Sequence, residues 1–269
     1  MNKINCGFKF LFLIIILAFN NLVLGDEAFV LKVATNPAPK NEILEFIKPD
    51  LAKLGIELQI VVFTDYIMPN KLVEQGKAHA NYFQHQPYLN KYNQDHKTNL
   101  ISIAPVHIEP FGIYSNKINN ISELRTNAKI AVPLDHTNQA RALLLLEQAG
   151  VIKLKKGVGI EAELKNIIEN PKNVEIIPIE YGKKLMFNIL DKHDLAMLNA
   201  NYAITAHLDP LTDSLLIEEG LDSPYAVFIV TSPSNKNLPA IKKLVEVMQS
   251  NKVKTFMKTK YKGSIIPAF

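Results

Sequence analysis

Two rhythms of apolar positions alternate along most of the chain. Phe29 to Thr35 (FVLKVAT) and Ile56 to Phe63 (IELQIVVF) are short apolar runs, the pattern of strands buried in a sheet. Between them, after Asn36-Pro37-Ala38-Pro39, residues Ile43, Leu44, Phe46, Ile47, Leu51 and Leu54 recur at helical spacing until Gly55, with Pro49 expected to bend or divide that helix. Tyr66 to Gln75 is predicted as the next helix. Ala80 to Phe83 is predicted as a strand running into His85-Gln86-Pro87-Tyr88, where Pro87 suits a first helical position. This alternation predicts an α/β fold with parallel strands and helices on both faces of the sheet, because parallel strands need crossover connections.

From Leu100 to Ser115 the chain stays extended longer than one buried strand needs, and Pro105 and Pro110 interrupt any ladder, so the segment reads as a crossover. The rhythm then restarts: a short helix at Ile121 to Leu124, strands at Lys129 to Val132, Val174 to Ile179 and Leu195 to Leu198, and an apolar helix from Gln139 to Ala149 ended by Gly150. Ala226 to Thr231 is a last extended run ahead of helices over Leu238 to Gln249 and Lys252 to Tyr261. Two units joined by extended crossings, near Phe111 to Ser115 and Ala226 to Thr231, predict two lobes around a cleft, with 26–113 and 226–269 as lobe 1 and 114–225 as lobe 2.

The first 25 residues follow another pattern. Lys3 and Lys9 accompany an unbroken apolar run from Phe10 to Phe19, shorter than the roughly 20 residues of a membrane-spanning helix, and Val23-Leu24-Gly25 offers a cleavable junction. Residues 1–25 are expected to be a signal peptide, and the protein to act in the periplasm or at the cell envelope. The one cysteine, Cys6, allows no internal disulfide and no cysteine-based metal cluster. Composition narrows the classes further. The 269 residues, 48% of them hydrophobic, suffice for one large or two ordinary cores. The formal charge of +4 is weak and dispersed, so no nucleic-acid partner is expected.

Three groups of residues carry candidate chemistry. In Pro133 to Arg141 (PLDHTNQAR), Thr137 or Asn138 can cap the helix that follows, with Arg141 within about its first turn. A cation there opposes the helix dipole, which makes sense if a carboxylate sits between guanidinium and helix end; an ordinary surface arginine is the alternative. Tyr66, Phe83, His85 and Tyr88 come from successive strand ends and loops, where open α/β sheets place ligands, and form either a mixed aromatic and polar pocket or a core stripe. Asn199 follows the strand Leu195 to Leu198; its amide suits an amino acid's backbone, or else closes an Asx turn. The seven histidines show no metal-ligand spacing, and neither a phosphate loop nor a nucleophile elbow is present, so no cofactor and no catalytic residue is expected. An exported hydrolase with His85 as base, or a surface interaction protein, stays possible, because distant residues can assemble in space and fold does not fix function.

The segments FTDYIMPN (63–70), YFQHQPYLN (82–90), AVPLDHTNQARALLLLEQAGVIKLKKGVG (131–159), IIENPKNVEI (167–176), LNANYA (198–203) and DSPY (222–225) together resemble the methionine-binding lipoproteins of the MetQ/NlpA family. The resemblance runs in order from about Val30 to near the C-terminus. It implies a two-lobed periplasmic-binding-protein fold of the type 2-like kind, and a receptor that closes on methionine and delivers it to an inner-membrane ABC permease with its ATPase. By motif position, Arg141, Asn199 and His85 would hold the ligand's charged ends with Asn138 beside them, and Tyr66, Phe83 and Tyr88 would wall its thioether. Three positions depart from the family pattern. Val227 stands where the family commonly has an asparagine, removing an amide worth about 1–3 kcal/mol to a ligand group left unpaired; a receptor for another amino acid or a methionine-containing dipeptide is the alternative this raises. Asn36-Pro37-Ala38-Pro39 replaces a glycine-rich stretch, and Cys6 precedes the apolar run instead of following it, so a lipid-bearing cysteine is missing at the expected cleavage point.

Overall fold

The computed structural model describes residues 28–180, 188–220 and 223–269; the expected signal peptide at 1–25 lies outside them. The chain opens with β1 (Phe29–Thr35), α1 (Lys40–Ala52), β2 (Ile56–Val62), α2 (Met68–Glu74), β3 (Ala80–His85), α3 (Gln86–His96) and β4 (Ile101–Ile108). It continues with β5 (Phe111–Tyr114), β6 (Lys129–Pro133), α4 (His136–Gln148), β7 (Lys153–Leu154), β8 (Ile167–Glu169), β9 (Glu175–Ile179), β10 (Leu195–Asn199) and β11 (Ser214–Ile217). After β12 (Ala226–Thr231), the helices Pro239–Met248 and Asn251–Tyr261 lead to β13 (Ile266–Pro267).

These strands form two principal sheets. The first runs β13-β4-β12-β3-β1-β2, and the second β11-β5-β10-β6-β9. In the first, β1 lies parallel to both β2 and β3, so Val33 faces Ile60 on one side and Ala80 on the other. β12 enters antiparallel between β3 and β4, which returns the end of the chain to the sheet where it began. In the second, β6 is parallel to β9 and β10, while β5 runs antiparallel to β10. Each sheet has its own core. Leu31, Val33, Ile43, Ile47, Leu58, Leu244 and Met257 pack together on the first, and Phe111, Ile130, Val132, Leu143, Leu146 and Met197 on the second. Each large side chain so buried stabilises its lobe by about 1.5–3 kcal/mol.

Two expectations need correction. Of the two outcomes expected at Pro49, a bend or a division, division does not occur: α1 continues through it to Ala52. Glu45 and Pro49 are both exposed, so the carbonyl that Pro49 cannot serve faces water and the lost hydrogen bond costs little. The segments 111–115 and 226–231, expected as crossings, are instead largely strands of the second and first sheets, β5 and β12. The chain changes sheet at Glu109-Pro110, and again between the end of β11 at Ile217 and the start of β12 at Ala226. The extended stretch looked continuous because β4 ends only two residues before β5 begins.

Candidate functional site

β3 ends where α3 begins, and His85 is the residue at that junction. Its extended backbone makes it the N-cap of α3, with Nδ1 accepting from the Tyr88 N–H at 3.2 Å. That fixes the tautomer: Nε2 carries the hydrogen and donates to Asn138 Oδ1 across the cleft at 3.2 Å. Burial, reinforced by the Arg141 charge, holds the imidazole at about 3, so His85 is neutral. Tyr88, one turn into α3, donates from its hydroxyl to the Tyr66 carbonyl at 2.8 Å. The Tyr66 loop is held from the other side by Asn36, whose Nδ2 donates to the carbonyls of Phe63 and Asp65. Tyr66, Phe83 and Tyr88 then meet at centroid distances of 5.8–6.0 Å, mostly edge to face.

The second sheet supplies the opposite wall. Asp135, not Thr137 or Asn138, caps α4, its Oδ1 accepting from the Asn138 N–H at 2.9 Å. Asn138 is left to donate from Nδ2 back to Asp135 and to present Oδ1 inward, where it accepts from both His85 and Asn199 Nδ2. Asn199, at the end of β10, is buried, and among the described residues its Oδ1 has no hydrogen-bond partner.

Arg141 is the sixth residue of α4, beyond its first turn, and only 2% exposed. The carboxylate expected beside it is present and belongs to this chain. Glu218, in the second passage between sheets, accepts from Arg141 Nε at 2.7 and 2.9 Å and from Nη2. Nη2 also donates to the Glu109 carbonyl at 2.8 Å, in the first passage. The Tyr225 ring lies 4.1 Å from the guanidinium carbon and the Phe111 ring 5.2 Å. Glu218 Oε2 further accepts from the Phe111 N–H at 3.1 Å. Arg141 is thus mounted on both passages at once, and among the described residues its Nη1 makes no hydrogen bond.

One pocket is lined by Tyr66, Phe83, His85, Tyr88, Asn138, Arg141, Asn199 and Val227, and also by Gln84, Glu109 and Tyr225. All eight candidates therefore lie together. Val227 reaches it from β12, opposite His85 in register. Glu109 and Tyr225 carry no local signal beyond their place in extended stretches, although Tyr225 belongs to the Asp-Ser-Pro-Tyr motif. Glu109 is the head of a buried chain: its carboxylate meets Lys40 Nζ at 2.5 Å and accepts from His107 Nε2 at 3.0 Å, while His107 Nδ1 accepts from Tyr82. Burial pushes the Glu109 carboxyl up, but the Lys40 ammonium and the His107 N–H together hold it at about 2. An outer cavity of about 290 Å³ adjoins the pocket, sharing Tyr66, Tyr88 and Asn199 with it. The Tyr66 hydroxyl donates to Asn201 Oδ1 at 3.0 Å.

Residues 31–269 match the family model described as NlpA lipoprotein. A relative from Salmonella typhimurium, the D-methionine-binding lipoprotein MetQ, is 38% identical over 233 residues, 86% of this chain and 81% of that protein. Two solved structures share the fold. A nutrient binding protein from Burkholderia cenocepacia, bound to methionine, has a TM-score of 0.84 at 38% identity, covering 89% of this chain and all of that one. An ABC transporter periplasmic substrate-binding protein from Coxiella burnetii has a TM-score of 0.83 at 38% identity, covering 88% of this chain and all of that one.

Proposed function

The chain belongs to the NlpA lipoprotein family, and on that footing we propose that it is an exported receptor that captures methionine between its lobes and passes it to an ABC importer. One observation carries the reading: a single pocket presents two unused and complementary groups, Arg141 Nη1 for a carboxylate and Asn199 Oδ1 for an ammonium. Charge agrees with it. Arg141 and Lys40 are balanced by Glu218 and Glu109, so the pocket suits a zwitterion better than a net ion. The rings of Tyr66, Phe83 and Tyr88 offer sulfur the polarizable contacts it favours. What the Salmonella and Burkholderia relatives are named for, or hold, supports the same ligand.

Closure follows from where the groups sit. His85 and Tyr66 belong to lobe 1, Asn138, Arg141, Asn199 and Asn201 to lobe 2, so a ligand touching both walls favours the closed state by its differential affinity. The described parts of the two passages, Glu109-Pro110 in the first and 218–220 with 223–225 in the second, are the proposed hinges. The importer's inner-membrane permease, served by its ATPase, would then read the closed form, as the Coxiella relative's description supports. Catalysis is not part of this reading. His85 cannot act as a base, because Nδ1 is engaged by the Tyr88 N–H and Nε2 carries its hydrogen, and no serine, threonine or cysteine lines the pocket.

Isothermal titration of the protein, unfolded and refolded to strip any resident ligand, tests the reading. One-to-one binding of L-methionine is expected; a correctly folded protein that binds no methionine would overturn it. The outer cavity favours one second reading, a methionine-containing dipeptide extending past Tyr66. Mass spectrometry of co-purified ligand separates the two.

A further inference from the structure

The charge, expected to be dispersed, is instead concentrated at one end of the chain. Residues 226–269 contain eight lysines and a single acidic residue, Glu246, whereas residues 28–225 contain 20 Lys plus Arg against 23 Asp plus Glu. The last 44 residues thus hold a formal +7 on a described chain that is otherwise mildly acidic. Most of those lysines are on the helices Pro239–Met248 and Asn251–Tyr261, which pack with α1 on the first sheet. The acids facing them are few: Asp50 pairs with Lys252, Glu42 with Lys260 at 2.9 Å, and Glu246 with Lys243 at 2.8 Å, while Glu45 reaches Lys48 at 3.7 Å. Among the described residues, Lys254, Lys258 and Lys262 have no acidic partner within 4.0 Å.

The lysines are not free tethers. Phe46 of α1 stacks on Phe256 at 4.0 Å between centroids, 11° from parallel. Lys252 lies 5.0 Å over Phe46, Lys260 5.5 Å over Phe256, and Lys254 5.4 Å over Phe269. All three rings are half-buried. These three ammonium groups therefore stand over aromatic surface at defined positions, so part of the ordering cost of a docked state is met in the fold itself. Partly exposed phenylalanine rings level with a fence of lysines are the composition that settles at the headgroup layer of a bilayer, where rings meet the acyl boundary and ammonium groups meet phosphate.

We propose that this face, formed by α1 and the two C-terminal helices, docks the protein on an anionic phospholipid bilayer. The occupant is set by charge and by aromatic content together: an array of positive charges with rings between them fits a surface of phosphates over hydrocarbon. The attachment is reversible and salt-sensitive, since exposed charges are screened within about 10 Å at 0.1 M salt. It keeps the receptor beside the membrane without engaging the cleft, whose walls share none of these lysines. It does not depend on which ligand fills the pocket, so its failure and that of the methionine reading are separate events.

Vesicle co-sedimentation of the full chain tests it, comparing vesicles of phosphatidylglycerol mixed with phosphatidylcholine against phosphatidylcholine alone. The ratio of the two partition coefficients cancels the apolar contribution of residues 1–25, and the charge of Lys3 and Lys9 is common to the wild type and both variants. A ratio of at least about tenfold is expected at low salt, falling to near one at about 0.5 M salt. The triple variant Lys254→Glu, Lys258→Glu, Lys262→Glu should bring it near one at low salt as well. A control with the same charge change placed elsewhere, Lys97→Glu, Lys155→Glu, Lys156→Glu, should keep most of it, with circular dichroism confirming that both variants fold. A wild-type ratio of one, an unchanged ratio in the triple variant, or an equal loss in the control would each overturn the proposal.

Discussion

Replacing Glu218 by Gln tests whether the ligand's carboxylate and this chain's own carboxylate share one guanidinium. Arg141 is 2% exposed and the Glu218 side chain 16%, so the pair is desolvated but not sealed. Breaking a fully buried pair costs about 3–5 kcal/mol. Gln keeps one acceptor for Nε yet turns an N–H donor toward the guanidinium or the Phe111 N–H, so the expected loss is smaller, about 1–3 kcal/mol. For a chain of this size that lowers the melting temperature by roughly 3–10 °C. The sign reverses in part when ligand is added. A methionine carboxylate supplies the missing negative partner, so at the same ligand excess the variant should gain more thermal stability than the wild type. Methioninol, which keeps the thioether and amine but lacks the carboxylate, should give no such extra gain. Differential scanning calorimetry with each compound measures both quantities. An unchanged melting temperature, or equal gains from methionine and methioninol, would refute the shared-guanidinium account.

Three further outcomes are expected. Arg141→Ala should weaken methionine binding by at least about 100-fold, the scale of losing a charged anchor in a desolvated pocket, and unchanged affinity by titration would show that the carboxylate sits elsewhere. Val227→Asn should tighten methionine binding about tenfold through one added hydrogen bond while lowering the melting temperature, because Val227 is 3% exposed and packs in the lobe 1 core. Stability should fall with acid below about pH 6.5: His85 titrates at about 3 in the fold and near 6.5 when unfolded, so between those values the unfolded chain binds the extra proton. Glu109, at about 2, adds to the loss below about pH 4.5. Methionine affinity should meanwhile stay flat from about pH 5.5 to 8, and an inflection near 6.5 would show that His85 is charged in the site.

Much of this was legible in the order of residues because the signals are local. A strand such as FVLKVAT or an apolar helix ending at Gly150 announces itself within a dozen positions, and the aromatic candidates sit where β3 gives way to α3. What escaped is nonlocal. Arg141 looked anomalous against its helix dipole, and the resolution lies 77 residues away in Glu218, with 32 residues separating it from the Glu109 carbonyl. Nothing near either glutamate distinguishes it from a surface carboxylate. Asp135 displaced Thr137 and Asn138 as the cap by a choice between adjacent good candidates that only backbone geometry makes. In freeing Asn138 from that duty, it left the amide able to link His85 with Asn199. Pro49 misled for a different reason: its helical penalty assumes a buried carbonyl four residues back, and the one here faces water.

The unpartnered oxygen of Asn199 has a consequence for economy of transport. In an empty, closed protein it is a buried acceptor with nothing to accept from, a penalty of about 1–3 kcal/mol, or roughly 5- to 150-fold against closing without cargo. On the proposed reading, an arriving ammonium would complete the bond and remove that penalty. Empty receptors are thereby kept from imitating loaded ones, and an importer that fires on the closed shape is spared ATP hydrolysis for nothing carried. Asn199→Leu, which leaves no acceptor to satisfy, should close more readily and stimulate ATPase activity without ligand.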